Sequence, residues 1–356
     1  MTPSTSVLLA TTNEILLDDL LRLAAAASIT PVVEPDLLGV RRRWHSCSLV
    51  VVGRDLAEPL ARAQPAPRSG VVVVGSGLDG DELYRSAFDV GADAVFRLPA
   101  DETALAGKLA DAVDGSVRTA LTLAFVGGCG GAGATTLAAA VAVFGNRRGF
   151  RTMLIDGDPL GGGIELALGI ERDPGDRWPK LLNASGRVSA AALRSALPSV
   201  DGLSVLSWDQ SDVTVLPPDT MSSVIGAAQR SSDLVVVDLP RRADPAVEEG
   251  FIRAAATLLV VPCDVRSVAA AKRLVGPLRA VAGDLRVVAR EFRPQVLSAL
   301  DVASHLSLPL ATRVGHERDL PTAMDQGRFD PRPRGPLSRS AADILDLFTH
   351  ADSSAA

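Results

Sequence analysis

An α/β chain of two doubly wound domains, with mostly parallel sheet, is what this sequence predicts. Three observations carry the prediction. The first 115 residues hold five short apolar runs spaced by helical segments. A glycine-rich turn at residues 127–133 joins an apolar run to a helix-forming run. Two later apolar runs end in aspartate, as core parallel strands do when they carry polar groups only at their carboxyl ends.

In the first domain, residues 1–115, the strands read SVLLAT, TPVVE, SLVVVG, GVVVVG and ADAVFRLP. Helical segments such as Ile15 to Ala27 and Asp79 to Val90 separate them, which is the doubly wound alternation. The second domain, residues 116–356, opens on the strand Leu121 to Val126. Five glycines follow within Gly127 to Gly133, then Thr135, Thr136 and the helix-forming run Leu137 to Val143. Glycines let a backbone close around phosphate oxygens, and the helix behind adds the positive end of its dipole.

The candidate phosphate-cradling residues are therefore Gly128, Gly130, Gly131, Ala132, Gly133, Ala134, Thr135 and Thr136. Gly128 and Gly133 fit the glycines of GxxxxGK[ST], and Thr135 stands where a hydroxyl meets magnesium. The pattern asks for lysine where this chain has Ala134. Between Arg118 and Arg147 run 28 uncharged residues, long enough to cross a membrane. Each of the five glycines would cost roughly 1 kcal/mol inside such a helix, which favours the loop.

Two further segments extend the pattern. RTMLIDGDPLGGG, from Arg151 to Gly163, is a buried strand leading into Asp156 and Asp158. SSDLVVVDLPR, from Ser231 to Arg241, places four apolar residues before Asp238. Strands Thr257 to Val261 and Leu285 to Val288, the helix Ser267 to Ala282 and a closing stretch Pro309 to Phe348 continue the domain.

Composition narrows the function classes. Hydrophobic residues make up 47% and aromatics only 4%, so the cores must be aliphatic. Cys47, Cys129 and Cys263 are scattered, as are His45, His305, His316 and His350, which argues against a disulfide framework or metal cluster. A net charge of −6 disfavours broad nucleic-acid binding. Arg41 to Arg43 read as solvated, as do Arg328, Arg332, Arg334 and Arg339; the second set is the candidate if any DNA contact exists. The opening MTPSTSVLLATTNE has no basic start and predicts a cytoplasmic protein. Near the end, Leu337, Ala341, Ile344, Leu345 and Phe348 follow helical spacing beside Asp343, Asp346 and Asp352. That helix should pack on the core, since anionic lipid would repel it.

The glycine loop resembles the deviant phosphate loop of the MinD/ParA family, GGKGGVGKTT: Gly127, Gly128, Gly130, Gly131, Gly133, Thr135 and Thr136 match. Cys129 and Ala134 replace both family lysines, and the whole chain has three lysines, Lys108, Lys180 and Lys272. The resemblance implies ATP or ADP with magnesium as cofactor, Thr135 and Asp238 as the magnesium contacts, and Asp158 as the residue orienting the attacking water. One lost phosphate contact costs about 3 kcal/mol, or roughly a hundredfold in rate. With two lysines gone, weak binding and very slow or lost hydrolysis are expected. LATRVGHERDLPTAMDQG resembles the family's closing LLGVIPEDxxVxxAxxxG. Many relatives read adenine with an asparagine after the seventh strand, where this chain has Ala289 and Arg290.

The first domain resembles the receiver of response regulators, GADAVFRLP echoing GADDYLxKP. Gly53 holds the phosphoacceptor position, Thr11 and Thr12 that of the acidic pair, Leu98 that of the lysine, and Asp55 lies two residues late. This predicts a flavodoxin-like pseudo-receiver that docks or dimerises. A pseudo-receiver fused to a MinD-like P-loop domain resembles the CpaE/TadZ subgroup, and within it the actinobacterial septum-site-determining proteins. The resemblance implies a spatial regulator of cell division, recruited to septum or pole by division-machinery proteins and able to homodimerise, with membrane association only indirect. The alternatives are a localisation factor for pilus or secretion machinery, and an active ParA-type ATPase on DNA.

Overall fold

The structure, a computed structural model, describes residues 4–27, 29–76, 80–113, 120–182, 190–209, 211, 215–292 and 296–349. It divides into two compact units, Met1–Val117 and Arg118–Ala356. The expected junction at 115/116 lies outside the described residues.

The first unit contains β1 (Ser4–Ala10), β2 (Val32–Val33), β3 (Cys47–Gly53), β4 (Val71–Ser76) and β5 (Ala94–Leu98), all parallel in the order β2-β1-β3-β4-β5. Side chains alternate between two apolar clusters, Leu8, Val50 and Val52 on one face and Val7, Leu9 and Val51 on the other. The run TPVVE yields only two paired residues, because Pro31 and Pro35 bracket it and can donate nothing to a ladder. Asp36 then caps the helix Leu37–Arg43 through the amides of Leu38 and Gly39, both at 2.9 Å.

The second unit contains β6 (Leu121–Gly127), β7 (Thr152–Asp156), β8 (Ser199–Val200), β9 (Leu203–Leu206), β10 (Leu234–Leu239), β11 (Ala256–Pro262), β12 (Leu285–Arg290) and β13 (Leu310–Val314). They form one sheet in the order β13-β12-β11-β6-β10-β7-β9-β8, parallel except for the β8/β9 hairpin. Both faces are covered: Val235, Val237 and Leu239 of β10 enter one core, Leu234 and Val236 the other. That is why these strands read as unbroken apolar runs.

Register places the chemistry. Asp238 of β10 stands opposite Asp156 of β7 and Phe125 of β6, so the polar strand ends meet at the carboxyl edge, where the turn after β6 begins. The helix Ala134–Arg147 packs closely on the sheet; a Cβ at Gly145 would fall 2.4 Å from Leu234 Cδ2. The last helix, Pro336–Thr349, buries Leu337, Ala341, Ile344 and Leu345 in the same core, as its periodicity predicts. Its acids are engaged there: Asp343 accepts from Thr312 Oγ1 at 2.7 Å, and Asp346 pairs with Arg148 at 2.5 Å. Asp352 lies outside the described residues. Among the described residues no helix is long and apolar enough to cross a membrane.

Candidate functional site: a phosphate loop over paired aspartates

The loop between β6 and the helix Ala134–Arg147 is held by its own glycines. Gly128 N–H donates to Val260 O at 2.8 Å, and a Cβ there would meet Ala271 Cβ and Val261 Cγ2 at 2.8 Å, so only glycine fits. Gly131 (φ 71°) and Gly133 (φ 88°) are left-handed, curling the backbone before the helix begins. The helix's first internal bond is Leu137 N to Gly133 O, at 3.0 Å. The amides of Ala134, Thr135 and Thr136 therefore have no helical acceptor, the arrangement in which a helix start can receive an anion. Cys129 donates its thiol to Ser267 Oγ at 3.4 Å, and Ser267 in turn bonds Asp264, the cap of the helix Val265–Val281. Cys129 thus ties the loop to the neighbouring helix.

Beneath the loop the structure brings together Thr135, Asp156, Asp158 and Asp238. Thr135 stands beside the Asp238 side chain and favours its charged form. Burial pushes the Asp238 carboxyl up to about 8, with Asp156 and Asp158 adding like charge. Burial likewise pushes Asp156 up to about 7, against hydrogen bonds from the amides of Asp158 (3.1 Å) and Ile164 (3.2 Å). Asp158 is half-buried, its Oδ1 accepting from Leu160 N at 3.1 Å. Among the described residues no group of three or more His, Cys, Asp or Glu is arranged to hold a metal ion by itself. Magnesium does not need one: it takes one or two protein ligands and completes its shell with phosphate oxygens and water. Thr135 and Asp238 fit that role, since a buried carboxyl beside two others lacks only a cation.

A pH prediction follows from these carboxyls. Their folded values lie above the ordinary 3.8, so between about pH 4 and 8 the folded chain binds more protons than the unfolded one, and stability falls as pH rises. Asp238→Asn should flatten this slope by about 1 kcal/mol per pH unit between pH 5 and 7. Urea unfolding at the two pH values, followed by tryptophan emission, checks it; an unchanged slope would mean Asp238 is ionised in the folded protein.

The segment after β7 is braced from below. Trp178 Nε1 (2.7 Å) and Trp208 Nε1 (3.0 Å) both donate to the Asp156 carbonyl, their rings 5.7 Å apart. Next to them Arg177 Nε meets Glu165 Oε2 at 2.8 Å, the two side chains 9% and 8% exposed. Ser207 Oγ also donates to Glu165, at 2.9 Å. The remaining Arg177 donors hold the carbonyls of Ile170, Asp173 and Gly175. Sequence reasoning missed this brace, because its members follow no motif spacing.

It also missed a cation beside the loop. Arg290, at the end of β12, lays its guanidinium on Gly133, where a Cβ would meet Nη1 at 2.3 Å. Nη1 donates to Gly131 O (3.2 Å) and Ala132 O (3.0 Å), and Cζ lies 4.4 Å from the Phe292 ring centroid. Both family lysines are absent, but Arg290 brings a guanidinium to the carbonyl side of the loop. Among the described residues no lysine lines the cavities around the loop.

In the first unit Asp55 turns back onto the two threonines that follow β1. Its carboxylate accepts from Thr11 Oγ1 (2.7 Å), Thr12 N (2.6 Å) and Thr12 Oγ1 (2.7 Å). Burial works against ionisation there, yet the bonds from Thr12 and Thr11 hold the carboxyl below its ordinary value. A Cβ on Gly53 would fall 2.3 Å from Asp55 Oδ1, so Asp55 fills the space a longer residue at 53 would need. Of the arginine clusters, Arg43 pairs with Glu34 and Arg332 with Asp319.

A doubly wound unit joined to a glycine-loop unit of this topology defines a class: a CheY-like N-terminal domain followed by a MinD/ParA-type P-loop ATPase fold. Residues 10–120 match the family model described as Rv3660c-like, CheY-like N-terminal domain. The protein Rv3660c of Mycobacterium tuberculosis (strain ATCC 25618 / H37Rv) is 33% identical over 340 residues, 94% of this chain and 96% of that one. The chain belongs to the Rv3660c-like family. A septum site-determining protein MinD of Emiliania huxleyi is 23% identical over 207 residues, 56% of this chain and 76% of its own. The MinD cell division protein of Aquifex aeolicus superposes with a TM-score of 0.54 at 22% identity, over 65% of this chain and 98% of that one.

Proposed function

We propose that this chain is a spatial regulator of cell division, of the septum-site-determining kind, that holds a nucleotide weakly through its phosphates and turns it over very slowly or not at all. One observation carries the reading: the loop keeps its cradle, with left-handed Gly131 and Gly133 and Thr135 beside Asp238, while Ala134 and Cys129 supply no charge. Shape without the cation that offsets charge shift suits a binding element better than an engine. Asp158 then serves as a vestige of the water-orienting position.

Other features support the same role. The last helix is committed to the core, so membrane association comes through partner proteins. The CheY-like unit, with Gly53 at the acceptor position and Asp55 locked by Thr11 and Thr12, acts as a docking module. The likeness to MinD proteins favours the septum over a pilus or secretion machine. The protein works in the cytoplasm, with division-machinery proteins and a second copy of itself as partners.

A fluorescent fusion of the full chain is expected at the division septum, and purified protein should hydrolyse Mg–ATP negligibly, with no change on Asp158→Ala. Polar foci with normally placed septa would overturn the septum reading. Turnover that Asp158→Ala abolishes would overturn the claim of lost catalysis.

A further inference from the structure

The glycine loop by itself leaves one part of a nucleotide unheld. The amides of such a loop cradle the inner phosphates, and the outermost phosphoryl group calls for a cation that Cys129 and Ala134 do not supply. Arg290 is spent on the loop itself, its Nη1 donating to the carbonyls of Gly131 and Ala132. Two other arginines, Arg241 and Arg242, stand on the turn that follows β10. Leu239 lies opposite Val126, the residue before the glycines begin, and Asp238 lies opposite Asp156. Gly157 N donates to Asp238 O at 2.8 Å, and a Cβ on Gly157 would fall 2.9 Å from both that oxygen and Leu239 Cδ2. The chain therefore leaves the sheet at residue 240 between the glycine loop on one side and the turn carrying Asp158 on the other.

The fold does not account for either arginine. Arg241 is exposed, and among the described residues it makes no hydrogen bond or ion pair. Other surface arginines of this unit find acids: Arg147 pairs with Asp330, Arg151 with Asp233 and Arg332 with Asp319. Arg242 is half-buried and anchored at one corner, its Nη2 lying 3.4 Å from Asp244 Oδ2. Asp244 is already committed, since its Oδ1 accepts from Ala246 N at 2.9 Å and caps the helix Pro245–Arg253. The Nε of Arg242 is buried without a hydrogen-bond partner. A buried donor left unpaired is costly, and a ligand oxygen that accepts from it recovers that cost.

A guanidinium presents paired N–H donors that match two oxygens of one phosphoryl group, and such charge-assisted bonds are stronger than neutral ones. A diphosphate held in the loop ends one phosphoryl group short of a triphosphate and offers the turn after β10 fewer oxygens. We infer that Arg241 and Arg242 hold the terminal phosphoryl group of a nucleoside triphosphate, so that the site prefers triphosphate to diphosphate. The inference rests on the reading of the loop as a nucleotide cradle and deepens it by assigning the nucleotide state the cradle selects. A regulator that barely turns nucleotide over can still distinguish the two states through such a contact.

The test is calorimetric titration of the full chain with the magnesium complexes of ATP and ADP. ATP should bind at least about tenfold more tightly than ADP. Arg241→Gln and Arg242→Gln should each bring the two within about threefold while leaving ADP affinity as it was. Arg279→Gln, in the last turn of the helix Val265–Val281 and so at the opposite edge of the sheet, removes the same charge and should leave the wild-type ratio. Should Arg242→Gln fail to fold, Arg241→Gln decides alone, since the Arg241 side chain bonds nothing in the fold. Equal affinities in the wild type, a ratio that survives Arg241→Gln, or one that falls as far with Arg279→Gln would each overturn the assignment and leave the phosphate cradle standing. No binding by either nucleotide would overturn both.

Discussion

Ala134→Lys is expected to tighten binding of magnesium–nucleoside triphosphate about a hundredfold, corresponding to about 3 kcal/mol. Ala134 is the first residue of the helix behind the loop, next to amides that already lack helical acceptors. The backbone cradle is in place, so the added ammonium needs no rebuilding of the loop to meet the phosphates. Asp238 and Asp156, whose carboxyls burial raises to about 8 and about 7, would also ionise more readily beside it. Calorimetry with ATP and GTP reads the gain. Ala134→Met, similar in length and uncharged, is the control and should leave affinity at the wild-type level. If lysine and methionine behave alike, the loop is not a phosphate cradle.

Arg177→Met is expected to destabilise the second unit by about 4 kcal/mol, the cost of leaving one member of a buried ion pair alone. Glu165 would stay buried with only Ser207 as donor, and the carbonyls of Ile170, Asp173 and Gly175 would lose theirs. Urea denaturation at pH 7 measures it. Glu165→Gln placed on top of Arg177→Met should recover part of the loss. A loss below about 1 kcal/mol would show that water reaches the pair. Because Trp178 adjoins Arg177 and holds the Asp156 carbonyl, the same variant should loosen the turn that carries Asp158.

Much of this molecule was legible as text. Leu121 to Val126, the glycines after it and the run before Asp238 announce core strands and a phosphate turn, because burial on both faces forces continuous apolar strands and tight turns force glycine. The last helix was readable from the spacing of Leu337, Ala341, Ile344 and Leu345. Arg290 was visible only as a departure from an expected residue. Its contact with Gly131 spans 159 positions, and nothing local in REFRP marks it as a loop brace. The contacts of Asp55 were hidden for a related reason. Counting residues put it two places past the acceptor position, but the start of the helix Arg54–Arg62 turns its side chain back onto Thr11 and Thr12.

By itself, the order of residues determined the elements, their parallel arrangement and the absence of lysine at Ala134 and Cys129, since periodicity and side-chain identity act over a few neighbours. Only the tertiary structure decided which distant charges meet: Arg290 with the loop, Arg177 with Glu165, Asp238 with Asp156. Those pairings depend on strand register and on exclusion of water, and both arise only when the whole sheet closes.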